Sequence, residues 1–395
     1  MKELKCDLHI VGGGLTGLLS AYCMSVLGYK IIISEKKNFL DDKNTPKDTR
    51  TTAIAEGSKV FFDTQGLWEK IKKFAQPIKD IKVIDNTTSA KIFFKNPRPN
   101  SSLGYIVKNS LLINLLIKEL RKKQNVNFVY GSYLSSIAYK NSNIITFSST
   151  TKIVSKMIIA ADGKNSTVRE ILGTNILKKN YNEKALVVNF FHERPHQSIA
   201  YEFFLKTGPL AILPMQKEKN KNQSALIWSN KAEIVDTVAY SNLKKEFLKE
   251  IINEKIYKQL GSITNINSIQ AFPLSAHINE KFYETNAVYI GDAAHSFHPI
   301  AGQGWNLGVR DVRSLTNLLS ETKNKGNKIG TKNFCKTYND LCYYDALRLF
   351  QVTDRLDWIF KKDQSYFKFT KKFGFSLINK YKPLKDNIVE FAMGI

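Results

Sequence analysis

Near the start of the chain, Val11-Gly12-Gly13-Gly14-Leu15-Thr16-Gly17 spaces three glycines as G-x-G-x-x-G. The chemistry this suits is the binding of a dinucleotide pyrophosphate. Gly12 permits a tight turn, Gly14 lets the pyrophosphate approach the backbone, and Gly17 lets a helix lie close to a strand. The helix that begins there points its free N–H groups and the positive end of its dipole at the phosphates. A lone match carries little weight. Here a short apolar strand, Cys6–Val11, precedes it and a helical pattern, Leu15–Leu27, follows. Glu35 comes eighteen residues beyond Gly17, where an acid hydrogen-bonds a ribose. A carboxylate there favours a free 2′-hydroxyl, as in FAD or NAD.

Two later segments narrow the choice. Asp162 and Gly163 stand where an apolar strand, Met157–Ala161, gives way to a helix starting at Ser166. Asp-Gly is common in turns, so this pair alone decides little. The stretch from Tyr289 to Gly308 is more specific. Gly291 and Asp292 follow a strand, and Asp292 can accept hydrogen bonds from a polyol chain. Gly302, Gln303 and Gly304 then open a helix whose N–H groups and dipole stabilise negative charge. A reduced flavin carries such charge at its N1–C2=O edge, so the element suits electrostatic stabilisation there. No second G-x-G-x-x-G follows a strand, which disfavours reductases that bind two dinucleotides. What remains is an NAD enzyme, or an FAD enzyme without a separate nicotinamide domain.

The elements that must position these residues are legible in outline. Cys6–Val11, Leu15–Leu27 and Ile31–Ile33 form a β-α-β unit. Gly28 stops the helix, and the β-branched run is typical of a strand buried on both faces. Tyr105–Val107 predicts a strand, after which Asn109 or Ser110 caps a helix ending at Arg121-Lys122-Lys123. Residues 126–161 predict several short strands. Leu186–Phe191, Ile199–Leu205, Leu210–Leu213 and Ser224–Trp228 predict more, and residues 231–260 have helical spacing. Val288–Ile290 reads as a buried strand and Gly304–Ser320 as a helix. Residues 333–395 are mostly helical, basic and rich in aromatics. Dinucleotide-type segments at the start, near 105–170 and near 288–320 are thus interrupted by strand-rich inserts near 78–95 and 184–275. The pattern predicts one discontinuous α/β domain carrying a sheet-rich domain in its loops.

Composition bounds the function classes. The 395 residues, 43% hydrophobic, make a globular chain of roughly two to three domains and not a disordered one. The four cysteines, Cys6, Cys23, Cys335 and Cys342, form no C-x-x-C pair. Zinc knuckles and thioredoxin-like motifs are therefore excluded, and a reduced, intracellular setting fits. The net charge of +24 invites nucleic acid or an anionic membrane. Only nine of the 59 basic residues are arginine, and the lysines are spread along the whole chain. Base readers lean on arginine forks, so nucleic acid is disfavoured and a membrane surface stays open. The apolar stretch Leu8–Tyr29 contains Gly12-Gly13-Gly14 and Gly17, which suits strand, turn and helix better than a membrane span or a cleavable signal. His192, Glu193 and His196 have the wrong spacing for a zincin helix and include Pro195, so we read a polar cluster and expect no metal.

Beyond these motifs, the sequence resembles the class A flavoprotein aromatic hydroxylases of the para-hydroxybenzoate hydroxylase fold. It is similar more narrowly to the ubiquinone-biosynthesis hydroxylases. The resemblance runs over nearly the whole chain. It includes Asp48-Thr49-Arg50-Thr51-Thr52-Ala53-Ile54, His192–His196, Ala200-Tyr201-Glu202, Thr207–Pro214, Phe272-Pro273-Leu274 and Thr353-Asp354. It implies an α/β fold: a discontinuous Rossmann-like FAD-binding domain (1–77, 101–180, 276–345), an inserted sheet-rich substrate domain (78–100, 181–275) and a helical C-terminal segment (346–395). Gly12, Gly14, Gly17 and Glu35 would hold the FAD adenosine and pyrophosphate. Arg50 would reach the FAD phosphates or the nicotinamide cofactor, and Asp162 and Gly163 would serve both phosphate regions. Gly291 and Asp292 would take the ribityl or pyrophosphate part. Pro299, Gly302, Gln303, Gly304 and Asn306 would border the isoalloxazine.

Two positions depart from the family pattern. Trp305 replaces a smaller aliphatic residue, and Ile113 stands where several relatives place an FAD-contacting arginine. The implied reaction uses NADH or NADPH to reduce the flavin. O₂ then adds as a C4a-hydroperoxide, whose distal oxygen is attacked by the ring of a polyprenyl phenol. Water must be kept out. His295 and His298 lie near the flavin in sequence, yet neither is nominated as a catalytic base. The expected location is the cytoplasm, with the basic, aromatic segment Trp358–Phe391 either touching the inner face of the membrane or capping the flavin domain. Membership of a quinone-synthesis assembly is also open. Competing readings are a flavin hydroxylase or epoxidase of another aromatic or terpenoid substrate, and a non-catalytic flavin subunit.

Overall fold

The computed structural model describes residues 1–37, 48–96, 101–240, 244–298, 302–361 and 365–394. It opens with β1 (Lys2–Val11), α1 (Leu15–Val26) and β2 (Ile31–Glu35). β1 and β2 run parallel, with Leu8 opposite Ile31 and Val11 opposite Ser34. Ile31, Ile32 and Ile33 are all buried, as a strand covered on both faces requires. Gly28 takes φ +84° just past the end of α1, a left-handed conformation that costs glycine little.

The chain then builds β3 (Thr51–Ala55), α2 (Glu56–Thr64), α3 (Trp68–Lys72), β4 (Gln76–Ile78), β5 (Asp80–Asp85), β6 (Lys91–Lys95) and β7 (Gly104–Lys108). β7 pairs antiparallel with β3 and β4 in a small three-stranded sheet. The strand at Tyr105–Val107 therefore lies outside the dinucleotide sheet, which corrects the sequence reading. Three apolar residues carry no register information, so pattern alone could not choose the sheet. The helix after it, α4 (Asn109–Arg121), starts from an extended Lys108 with no side-chain cap. Asn109 is already helical, and its amide donates to Asp48 at 3.3 Å.

β8 (Val126–Tyr130), β9 (Leu134–Lys140), β10 (Asn143–Ser148) and β11 (Thr151–Ala160) complete most of the dinucleotide sheet. Much later in the chain, β17 (Tyr283–Glu284) and β18 (Ala287–Tyr289) join it. Its order is β17-β18-β11-β1-β2-β8, with the β9–β10 hairpin branching from β11. β18, β11, β1, β2 and β8 are mutually parallel. After β11 comes the short helix α5 (Thr167–Leu172).

The second large sheet contains β12 (Ile176–His192), β13 (Ile199–Leu205), β14 (Gly208–Glu218), β15 (Lys221–Lys231), β16 (Ile263–Asn279) and β19 (His295–Ser296). Its order is β19-β16-β12-β15-β14-β13-β5-β6. Both strand-rich inserts thus meet in one sheet, through a parallel β13–β5 pair. β12 and β16 each run 17 residues, far beyond their apolar runs, because the polar start of β12 is held by its ladder with β16. Beside Pro273 that ladder jumps from Asn180 to Glu183, and Asn182 takes φ +56°, a bulge that tolerates the proline. α6 (Ala232–Tyr240) and α7 (Lys244–Leu260) cover one face, where Val235, Leu248, Ile252 and Ile256 pack against Leu186, Phe203 and Leu226.

α8 (Gly304–Asn324), α9 (Lys332–Lys361), α10 (Ser365–Lys380) and α11 (Lys382–Met393) end the chain. α8 and α9 bury Leu315, Leu319, Tyr338 and Leu349 in the dinucleotide core. α11 buries Val389 and Met393, and Gly394 docks so tightly that a Cβ on Gly57 would lie 2.2 Å from its carbonyl oxygen. The C-terminal segment is therefore in part a cap. Among the described residues no helix is long and apolar enough to cross a membrane.

Candidate active site

Three turns lie at the carboxyl ends of the adjacent strands β1, β11 and β18, where open α/β sheets bind their ligands. At the end of β1, Gly12 takes φ +108° and a Cβ there would lie 2.3 Å from the Ala161 carbonyl oxygen. At Gly17 a Cβ would lie 2.0 Å from the Gly12 carbonyl oxygen. Both positions admit only glycine, so the turn is pinned between its own helix and β11. Gly14 differs, since a Cβ there would meet nothing within 4 Å. Its outer side is open for a ligand, and no side chain caps α1, leaving its first N–H groups free to donate. Glu35, at the end of β2, accepts from Gly13 N at 2.6 Å and Lys37 N at 2.9 Å. Its carboxylate keeps further lone pairs for hydroxyl donors.

At the end of β11, Asp162 accepts from Val168 N at 3.2 Å through Oδ2, while Oδ1 is buried with no hydrogen-bond donor found for it among the described residues. Burial pushes its carboxyl above the usual carboxylate range. Gly163 follows at φ +84° with its Cβ side open. Ser166 accepts from Arg169 N at 3.1 Å and caps α5. At the end of β18, Gly291 takes φ +56° and rests on Thr16, whose Oγ1 would lie 2.8 Å from a Cβ there. The Asp292 side chain is open to solvent but lies deep among protein atoms. Burial raises its carboxyl too, while His295, Arg50 and Lys164 draw it back.

Four residues that the sequence analysis did not single out hold these turns in place. Arg169 donates to Ala293 O at 3.1 Å and Lys164 O at 2.7 Å, tying the second turn to the third. Asp311 on α8, 1% exposed, accepts from Gly291 N at 2.9 Å and lies 2.7 Å from His295 Nε2. Ser58 Oγ donates to Asn306 Oδ1 at 2.9 Å, and Thr16 sits between Gly291 and Gly308. Asp311 had a readable signal, since it shares the buried helix face of Leu307 and Leu315 at i, i+4 spacing. Thr16, Arg169 and Ser58 stand within or beside the motifs, with no role of their own legible there.

The start of α8 is locked to β3 in the same way. Asn306 also accepts from Ala55 N at 2.9 Å and donates to Ala53 O at 2.9 Å and Gly302 O at 3.3 Å. Its side chain is thus fully occupied in fixing the loop. Gln303 donates to Ala392 O at 3.0 Å on α11. Gly302 takes φ +60°, and the Cβ side of Gly304 is open. Trp305 packs on Phe62, ring centroids 5.6 Å apart. Pro299 lies outside the described residues. Ile113 is buried in the core of α4.

Arg50 lies opposite, gripped by Asp48 at 2.9 and 2.8 Å with its guanidinium 4.9 Å from the centre of the Phe272 ring on β16. Thr49 donates to Gln270 Oε1 at 2.7 Å, and Asn189 donates to Thr49 O at 2.7 Å. These contacts bring the second sheet's inner face over the dinucleotide turns. His192 ends β12 and His196 lies in the connection to β13, both as structural hydrogen-bonders. His192 contacts Arg194 O at 2.8 Å and Ser224 Oγ at 3.0 Å, and His196 donates to Met215 O at 2.9 Å.

Known proteins share this architecture. The chain is 28% identical to the ubiquinone hydroxylase UbiL of Rhodospirillum rubrum, over 98% of this chain and 89% of that protein. It is 27% identical to the mitochondrial ubiquinone biosynthesis monooxygenase COQ6 of Xenopus tropicalis, over 98% and 93%. The crystal structure of p-nitrophenol 4-monooxygenase PnpA from Pseudomonas putida superposes with a TM-score of 0.80 at 18% identity, over 100% and 98% of the two chains. The FAD binding domain model matches residues 5–340, and the chain belongs to that family.

Proposed function

We propose that the protein is an FAD-dependent monooxygenase that hydroxylates the ring of a polyprenyl phenol in ubiquinone biosynthesis, with NADH or NADPH as reductant and O₂ as oxidant. The observation that carries this reading is the convergence of the three turns under the inner face of the antiparallel sheet. Two of the relatives it resembles over their length are ubiquinone-biosynthesis enzymes.

The residues present fit FAD. The open sides of Gly14, Gly163 and Gly304 admit a close-lying ligand, and the unpartnered Asp162 Oδ1 is a ready acceptor. Gly12–Gly17 would bind the pyrophosphate and Glu35 the adenosine ribose. Asp162 and Asp292 would hold hydroxyl or phosphate-side groups, and Arg50 would face the phosphates or the nicotinamide. When bound, FAD supplies hydride acceptance from the nicotinamide and activation of O₂ for transfer of one oxygen atom to the ring. The N-terminus of α8 would stabilise negative charge on the bound group. The apolar side chains Ala200, Leu213, Ala225 and Met215 on the sheet's inner side would keep water from the reacting atoms. Residues 1–77, 101–180 and 276–345 form the FAD-binding part and 78–100 with 181–275 the substrate part.

The C-terminal helices support a location at a membrane surface. α10 buries Phe375 and exposes Tyr366 (71%), Phe369 (70%) and Phe373 (61%) along one side. It carries no acidic residue, and Lys372 and Lys380 are exposed on it. An apolar ridge with lysines and no acid suits the headgroup region of an anionic bilayer, where a polyprenyl substrate resides. The test is expression in bacterial strains that each lack one ubiquinone ring hydroxylase, with quinones measured by mass spectrometry. Restored ubiquinone in one strain supports the reading and names the ring position. Accumulation of flavin-loaded protein with no strain restored refutes the quinone assignment.

A further inference from the structure

One carboxyl group on the inner face of the antiparallel sheet has no part in the turns described above. Along β13, Ile199, Tyr201, Phe203 and Leu205 pack toward α6 and α7. The alternate residues Ala200, Glu202 and Phe204 therefore face the other way. Ala200 belongs to the apolar cluster with Ile106 of β7 and with Val389 and Met393 of α11. Phe204 stacks on Phe360 of α9, ring centroids 3.5 Å apart and planes 9° apart. Glu202 stands between these two anchors.

Its neighbours across the sheet are apolar. Val83 of β5 and Ala211 of β14 flank it directly. The same row continues through Ile227 of β15 and Val187 of β12 to Gln270 of β16. Gln270 is the residue bonded to Thr49, one position before Arg50. One line of the sheet thus runs from the cofactor side to Glu202. The Glu202 side chain is partly accessible, and no described residue donates a hydrogen bond to it or pairs with it. Burial alone pushes its carboxyl up to about 8. An unpaired acid among Val, Ala and Ile is costly to fold. A carboxyl perturbed by burial with no ion partner is a candidate functional group.

We infer that Glu202 is the residue that receives the substrate's ring hydroxyl, its carboxyl oxygen accepting the phenolic O–H beneath the inner face of the sheet. This assignment rests on the proposed function and deepens it. A phenol is the ligand chemistry that fits, since its ring lies on apolar neighbours and its one hydroxyl needs a single polar partner. Glu202 would be the group that sets which ring edge turns toward the flavin.

The test uses the full-length FAD-loaded enzyme, NADH and a short-tailed prenylphenol, with product quantified by mass spectrometry. Glu202→Leu raises KM about tenfold or more, the loss of one buried hydrogen bond, and lowers product formed per NADH oxidised. Glu202→Gln keeps a carbonyl acceptor and holds KM within about threefold of wild type. The melting temperature of Glu202→Leu is equal to or above wild type, because leucine matches Val83, Ala211 and Ile227. The methyl ether of the same phenol, which has no O–H to donate, is discriminated against by wild type and not by Glu202→Leu. The assignment is overturned if Glu202→Leu keeps the wild-type KM, or if both variants lose flavin and melt early. If wild type hydroxylates no prenylphenol, the functional reading itself falls and takes the assignment with it.

Discussion

Asp311 is the sharpest place to test how the cofactor turns are held. Its carboxylate lies on α8, 1% exposed, and contacts the Gly291 backbone N–H at 2.9 Å and His295 Nε2 at 2.7 Å. His295 is itself 1% exposed, so water cannot replace the lost acceptor at either group. Asp311→Ala orphans two buried groups at once, each costing about 1–3 kcal/mol, or about 4 kcal/mol together. For a chain of 395 residues that corresponds to a fall of about 5 °C in Tm. The effect does not stop at stability. Gly291 holds its φ of +56° against Thr16, and releasing it frees the turn that carries Asp292. Bound flavin per protein therefore drops along with Tm. Asp311→Asn keeps one oxygen for the Gly291 N–H and loses about half as much. The assay is thermal melting by near-UV circular dichroism, with flavin absorbance measured on the purified protein. An Asp311→Ala protein that melts within about 2 °C of wild type and keeps full flavin would refute the reasoning, because two orphaned buried groups cannot be free.

Other perturbations have equally definite outcomes. Gly12→Ala puts a Cβ 2.3 Å from the Ala161 carbonyl oxygen at φ +108°. Neither atom can move aside, so flavin retention during gel filtration is lost. His9 is fully buried between Ser34 and Thr146, and burial lowers its imidazole from 6.5 to about 3. The unfolded chain takes up that proton first, so stability is full above pH 6.5 and falls as the pH drops below it, by about 2 kcal/mol at pH 5. His277, also lowered by burial to about 3, adds a similar loss. Denaturant melts at pH 7 and pH 5 measure the slope, and His9→Gln should remove about half of it. Phe369→Ser with Phe373→Ser abolishes co-sedimentation with vesicles containing anionic lipid and leaves Tm unchanged. Equal pelleting of the variant would show that α10 is not the membrane-facing element.

The motifs were legible because each carries its own constraint. Gly12 and Gly17 sit where any Cβ would strike backbone, and glycine spacing records such contacts directly. The β-α-β start was legible for the same reason, with Gly28 marking the end of α1. Register between distant segments was not. Nothing in Tyr105–Val107 says that its partners are β3 and β4, and nothing in the polar run from Lys178 to Asn180 says that it continues a strand. Both follow from neighbours far off in the sequence. The supporting residues were hidden for a related reason. Arg169 and Ser58 act through long-range contacts that leave no local pattern. Neither histidine near the third turn was nominated as a catalyst, and His295 is tied to Asp311 in the core. Asn306 was expected to border the flavin ring, and the structure adds that its amide fixes α8 to β3. The C-terminal segment was read as either cap or membrane surface. In the structure α9 and α11 cap, while α10 keeps an exposed aromatic ridge.

The most direct test of the central claim is oxygen transfer itself. The purified FAD-loaded protein is incubated with NADH, a prenylphenol and isotopically labelled O₂, and the product is analysed by mass spectrometry. The account predicts a ring hydroxyl that carries one atom of label, with NADH consumed in proportion. Unlabelled product, or NADH consumption that yields only hydrogen peroxide with every prenylphenol tried, would contradict it.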